Sequence, residues 1–267
     1  MTDLAPIGVF DSGIGGLTVV QELMRQLPHE SIVYFGDTAR VPYGNKSPET
    51  VQRYSREIAD FLERRGVKAI VVACNTATAH ALPMLRAERT IPVIGVVDPG
   101  ARAAVAASRG GPIGVIGTLG TVRSGAYERA IHALRPDASI TARPCPLFVP
   151  LVEEGWTGHE AARLVAREYL APLMEDRIDT LVLGCTHYPL LKPLLRRELG
   201  PGVRLIDSAE ETAAETGRVL RAQGLEAPSD ARPVHHFVSS DTPDQFRALG
   251  KRFLGSAIDD VERHVLG

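Results

Sequence analysis

Two short stretches of this chain deliver the same chemical corner. Residues 70–76 read Ile-Val-Val-Ala-Cys-Asn-Thr, and residues 181–187 read Leu-Val-Leu-Gly-Cys-Thr-His. Each is an apolar run ending in a small residue, then a cysteine, then two polar side chains. Cys74 and Cys185 therefore fall where a buried parallel strand stops and its loop begins, which is where open α/β sheets bind ligands. A thiol acts as base or nucleophile only as thiolate. A helix N-terminus or a neighbouring histidine lowers its pKa from ~8.5 into the range of roughly 3.5–7.5. Both cysteines precede expected helices, and His187 follows Cys185 by two residues. A single free cysteine reads as a small buried hydrophobe. The pair at matched strand ends, flanked by hydroxyl and amide groups, reads as chemistry done from both sides of one substrate.

Each half offers further polar groups at its expected strand ends. The first has Asp11-Ser12, Asp37 and Asn75-Thr76; the second has Thr118, Thr121, Glu153 and Thr186-His187. Asp11 closes an otherwise apolar strand, a costly place for a carboxylate without a partner. The Gly13-Ile14-Gly15-Gly16 loop with Asp37 imitates a dinucleotide fingerprint. Thr18, however, takes the third glycine position, and Asp11 would set its charge against a pyrophosphate. No Gly-Lys-Ser/Thr occurs, which excludes a P-loop. A pyridoxal enzyme needs a Schiff-base lysine, and only Lys46 lies in an expected site loop. Cofactor-free chemistry is the expectation. Cys74, Cys145 and Cys185 are an odd number without a C-x-x-C pair, so neither a disulfide framework nor a metal site is expected. Cys145, between two prolines, reads as a packed loop cysteine. His80, His132, His159 and His264 fall in helical patterns and His235-His236 opens a strand; all read as surface or satisfied core residues.

Positioning these groups calls for a particular scaffold. Strands are expected at 7–10, 32–35, 69–73, 93–96, 113–116, 180–184, 203–206 and 236–238, alternating with helix-length segments. The stripe Ala162, Val165, Ala166, Tyr169, Leu173 has the spacing of a helix covering a sheet. Ser47-Pro48-Glu49 signals a capped helix start. Such alternation means parallel sheets with helices on both faces. The halves also repeat: Ile7-Gly8-Val9-Phe10-Asp11-Ser12 matches Ile113-Gly114-Val115-Ile116-Gly117-Thr118, and Pro83 and Arg86 after one cysteine match Pro193 and Arg196 after the other. The expectation is an α/β chain of two similar doubly wound parallel-sheet domains, with the active site in a cleft between them. Residues 1–97 plus 208–267 form the first domain and 98–207 the second, with a boundary near Asp98-Pro99-Gly100 and a tail that packs back on the first.

The bulk numbers exclude several classes. The hydrophobic fraction is 44% and the charged fraction 23%, as in ordinary globular enzymes. A net charge of -2 offers no attraction for nucleic acid or an anionic membrane. No apolar run approaches the ~18 residues of a membrane span, and Met1–Pro6 is too short and polar for a signal peptide. With unpaired cysteines, a reducing cytoplasmic location is expected.

Five motifs carry a resemblance: Phe10-Asp11-Ser12-Gly13-Ile14-Gly15-Gly16-Leu17, Gly36-Asp37-Thr38-Ala39-Arg40-Val41-Pro42-Tyr43-Gly44, Ala73-Cys74-Asn75-Thr76, Cys145-Pro146-Leu147-Phe148-Val149-Pro150 and Gly184-Cys185-Thr186-His187-Tyr188-Pro189. In these the chain resembles the cofactor-independent glutamate racemases of the aspartate/glutamate racemase superfamily. The resemblance implies that Cys74 and Cys185 are the two acid/base residues. Asp11 would assist Cys74, and His187 would assist Cys185 with Glu153 beside it. Ser12, Tyr43, Gly44, Asn75, Thr76, Thr118, Thr121 and Thr186 would hold the substrate, with Asp11 and His187 at its edge. It further implies glutamate as a small-molecule substrate, D-glutamate for peptidoglycan synthesis, and a homodimer whose arrangement varies. On a two-base mechanism each sulfur should sit ~3–3.5 Å from the α-carbon on opposite faces, so roughly 7 Å from the other. The rival readings are an aspartate racemase, a two-domain anion-binding protein and a thiol redox protein.

Overall fold

The structure is a computed structural model and describes residues 4–254, 258 and 260–266. Ten strands occur among these: β1 Ile7–Asp11, β2 Ile32–Gly36, β3 Ala69–Val72, β4 Val93–Gly95, β5 Ile113–Gly117, β6 Ile140–Pro144, β7 Thr180–Gly184, β8 Arg204–Asp207, β9 His235–Ser239 and β10 Val261–Arg263. The helices are α1 Leu17–Gln26, α2 Pro48–Arg64, α3 Asn75–Glu88, α4 Val97–Ala107, α5 Leu119–Arg123, α6 Ala126–Leu134, α7 Phe148–Glu153, α8 Glu160–Glu175, α9 Lys192–Leu199, α10 Ser208–Gln223 and α11 Pro243–Leu254. The chain divides into two compact units, Met1–Val96 with Ala209–Gly267, and Val97–Ser208.

The first unit is built on a six-stranded sheet in the order β10-β9-β2-β1-β3-β4, the second on a four-stranded sheet in the order β6-β5-β7-β8. Every pairing is parallel. The chain is thus an α/β protein of two parallel-sheet domains. Strands β1, β2, β3, β5 and β7 are buried at every residue, as strands covered on both faces must be. In the first unit α2 packs with α3 and α1 with α11; in the second α4 packs with α6 and α8 with α9. The sequence repeat has its counterpart in topology. The order β2-β1-β3-β4 in one sheet is that of β6-β5-β7-β8 in the other, with β9 and β10 added only to the first.

Local chemistry explains the helix starts. Ser47 accepts a hydrogen bond from the Thr50 amide, Pro48 takes the first helical position and Glu49 stands in the first turn of α2. His159 caps α8 by accepting from the Ala161 amide at 3.1 Å. The buried stripe of α8 is Ala162, Ala166, Leu170 and Leu173, with Val165 and Tyr169 half-buried beside it.

Four expectations need correction. Strands β6 and β10 were not expected. Both lie at sheet edges, and their residues are half-buried or exposed, so neither carries the continuous apolar run of a central strand. Glu153, expected at a strand end, is the last residue of α7 instead. His264 is not helical. It follows β10, and its ring centroid lies 4.4 Å from that of Phe61. The fourth concerns Cys185 and belongs to the site.

Candidate active site

In the first unit the parallel register brings the carboxyl ends of three strands side by side: Asp11 pairs with Gly36 and Phe10 with Val72. Cys74 sits just past β3 and is the cap of α3. Its sulfur accepts from the Ala77 amide at 3.5 Å and lies 3.7 Å from the Ser12 hydroxyl. An amide donor at the positive end of a 14-residue helix favours thiolate over thiol. Asp11 is buried, and its Oδ2 accepts the Gly13 amide at 3.0 Å. Gly16 is required here, because a Cβ would stand 2.5 Å from the Asp11 Cβ and 2.8 Å from the Tyr34 hydroxyl. Asn75 and Thr76 are buried in the first turn of α3.

Asp37 closes β2 fully buried, and both its oxygens are engaged by the protein. Oδ2 accepts from the Tyr43 hydroxyl and from Arg40 Nε at 2.7 Å; Oδ1 accepts from the Ser240 hydroxyl at 2.9 Å. The ribose-binding carboxylate of a dinucleotide fold must stay open to its ligand, so the resemblance to that fingerprint ends here. Burial and the Asp37 charge push the Tyr43 phenol far above its ordinary pKa, so it remains a donor. Tyr34, which the sequence reading missed, donates to the Gly13 carbonyl at 2.8 Å. Its burial, with Asp11 and Cys74 nearby, likewise raises its phenol well above 10. A hydroxyl within the apolar run Ile-Val-Tyr-Phe-Gly was the available signal.

In the second unit Thr118, Cys145 and Cys185 follow the neighbouring strands β5, β6 and β7. Cys185 does not open a helix: a turn and a 3-10 segment, Tyr188–Leu191, separate it from α9. Consequently Pro83 lies inside α3, whereas its repeat partner Pro193 lies at the start of α9. Cys185 relies on histidine instead. Its sulfur is 3.9 Å from His187 Nδ1, and His187 Nε2 is 3.0 Å from Glu153 Oε1. Burial alone would lower the imidazole pKa. Hydrogen bonds to Cys185 and Glu153, with their charges, outweigh that and raise it from 6.5 to about 10. His187 is therefore an imidazolium at neutral pH, placed between Cys185 and Glu153. Thr118 caps α5 through the Thr121 amide at 3.2 Å, and the two hydroxyls lie 3.0 Å apart. Thr186 is buried beside Cys185.

Cys145 has a different character. Burial pushes its thiol pKa far up, with only Arg143 pulling the other way. Its amide donates to the Gly117 carbonyl at 2.8 Å and its carbonyl accepts from the Tyr188 hydroxyl at 2.7 Å. It is a packed thiol, as expected. Among the described residues no group of three or more His, Cys, Asp or Glu could hold a metal ion, and no helix is long and apolar enough to cross a membrane.

Two buried thiols, Cys74 and Cys185, stand at equivalent strand ends of the two units. Comparison with known proteins places the chain in a family. Residues 7–216 match the Asp/Glu/Hydantoin racemase family, and the chain belongs to that family. It is an amino-acid racemase, an isomerase. It is 56% identical over 255 residues to the glutamate racemase of Geobacter metallireducens, covering 96% of this chain and 94% of that one. The crystal structure of glutamate racemase from Francisella tularensis in complex with D-glutamate is similar at 40% identity with a TM-score of 0.92, covering 99% of this chain and 98% of that one. The glutamate racemase of Thermus thermophilus in complex with β-chloro-D-alanine is similar at 51% identity with a TM-score of 0.88, covering 98% of each chain.

Proposed function

We propose that this chain interconverts L- and D-glutamate without a cofactor, by a two-base transfer at the α-carbon between Cys74 and Cys185. The observation that carries the reading is the pairing of thiols with unlike helpers: a helix amide for Cys74, and the His187–Glu153 pair for Cys185. Inverting a carbon means taking its proton from one face and returning one to the other. A single base would tend to restore the original hand. One thiol must therefore start as thiolate and the other as acid, with roles exchanged for the other enantiomer. The α-proton is weakly acidic, so donors must stabilise the carbanion as it forms. Asn75, Thr76, Thr186 and the main chain near Ser12 serve that role, with Thr118 and Thr121 at the margin. The Tyr43 hydroxyl is committed to Asp37, which leaves the main chain of Tyr43 and Gly44 to meet a substrate carboxylate. Asp11 orders the Ser12–Gly13 turn beside Cys74.

Glutamate is named because the relatives above bear that activity in their names and one was solved with D-glutamate. The product would supply cytoplasmic peptidoglycan synthesis. The test incubates each enantiomer separately in heavy water without added cofactor. Both should acquire α-deuterium and yield the opposite enantiomer. Cys74→Ser and Cys185→Ser should each cut racemisation by about 100-fold or more. Unchanged turnover in either variant would overturn the two-cysteine mechanism. A preference for aspartate in wild type would overturn the substrate.

A further inference from the structure

The loop from Thr38 to Asn45 carries Tyr43 and Gly44, yet little in its own sequence could hold it. Residues 39, 41, 42 and 45 are exposed, and Tyr43 is its one deeply buried side chain. Its other ties are polar, and several run to the segment immediately after β9. The Ser240 hydroxyl donates to Asp37 Oδ1 at 2.9 Å and accepts from the Ala39 amide at 2.9 Å. The Thr38 and Ser239 hydroxyls are 2.8 Å apart, and the Asp241 amide donates to Thr38 Oγ1 at 3.1 Å. Ser239 is wholly buried and Ser240 nearly so. These serines lie some 200 residues from the loop and beyond residue 216, where the family match ends.

The duplicated scaffold sharpens the point. In the second sheet β6, the counterpart of β2, is an edge strand, and the turn after it is held by β5 and Tyr188. In the first sheet β2 is flanked by β9, whose continuation supplies Ser240. We propose that Ser240 is a positioning residue for the substrate loop, holding Asp37 so that Asp37 in turn holds Tyr43 and Arg40. Without it a fully buried carboxylate oxygen and the Ala39 amide both lose their partner. The loop then keeps Tyr43 and Arg40 on Oδ2 alone. This inference rests on the reading that Tyr43-Gly44 meets glutamate, and its test separates the two.

Hydrogen exchange by mass spectrometry and steady-state kinetics are measured on wild type, Ser240→Ala, Ser240→Thr and Thr38→Val. Ser240→Ala should speed exchange in peptides covering 38–46 while β9 stays protected. It should raise KM for glutamate about tenfold, the scale of one hydrogen bond to a charged group, with kcat within about twofold. Ser240→Thr keeps the hydroxyl and should restore both. Thr38→Val should loosen the same peptides and guards against misfolding of the alanine variant. Unchanged exchange at 38–46 overturns the inference whatever the activity. Faster exchange with KM unchanged shows a structural brace only and also overturns it. If wild type fails to racemise glutamate while 38–46 loosens as expected, the substrate reading falls and the coupling stands.

Discussion

His187 lies between a thiol and a carboxylate, and its pKa near 10 makes that placement measurable. Its value is raised in the folded state relative to 6.5, so the stabilisation it brings is complete below about pH 6.5 and is lost as pH rises through about 10. Removing one of the anions that raise it should move that loss to lower pH. Glu153→Gln is therefore expected to lower the imidazole pKa, seen in the NMR titration of the His187 ring. The fall in melting temperature should still begin near pH 6.5 but be smaller and end at a lower pH than in wild type. A ring that titrates unchanged would show that Glu153 does not hold its charge. The placement of Cys74 and Cys185 at strand ends was legible in the sequence because each closes an apolar run, with His187 two residues beyond the second; Glu153 ends a helix and reached the site by resemblance alone. Ser240 and the duty of Asp37 were not legible. A serine advertises nothing until its partner, 203 residues away, is known.

At the scale of elements, the turn after β1 depends on bare backbone. Gly16→Ala would place a methyl against Asp11 and the Tyr34 hydroxyl, neither of which is the free end of a flexible chain. The expected cost is about 1–3 kcal/mol by denaturant unfolding, with a matching shift of Ser12 and a loss of turnover. Full activity with unchanged stability would mean that the turn yields more easily than its contacts suggest. The central strands were readable because doubly covered strands must be apolar throughout. Strand β6 ends in Ala-Arg-Pro, and its half-buried residues blend into loop composition. Position in the repeat could have revealed it, because β6 follows β5 at nearly the spacing by which β2 follows β1. The helix expected directly after Cys185 failed for a different reason. Its proline matched one that α3 tolerates mid-helix, but here it opens α9 instead.

At the scale of the whole chain, the first unit must be completed by a segment that returns after residue 208. One device for this lies at the amino ends of its strands, opposite the end that carries Cys74. Lys68 Nζ is 2.6 Å from Glu30 Oε2, with both side chains buried, and Glu30 Oε1 accepts from the Ala227 amide at 2.8 Å. Removing one partner strands a buried charge. Lys68→Met should cost about 3–5 kcal/mol of unfolding free energy while leaving turnover per folded molecule intact. A neutral result would mean that Glu30 finds another cation or takes up a proton.

The unlike helpers of the two thiols carry a kinetic consequence. The amide that supports Cys74 has no titration near physiological pH, whereas the imidazolium beside Cys185 discharges near pH 10. Mirror-image substrates have equal free energy in water, so kcat/KM for the two directions must remain equal at every pH. On the proposed mechanism, alkaline conditions can therefore never favour one enantiomer's net formation. They can only alter the shared kcat/KM and redistribute where the enzyme waits, the ratio of kcat for L- to D-glutamate moving with pH by the same factor as the ratio of their KM values.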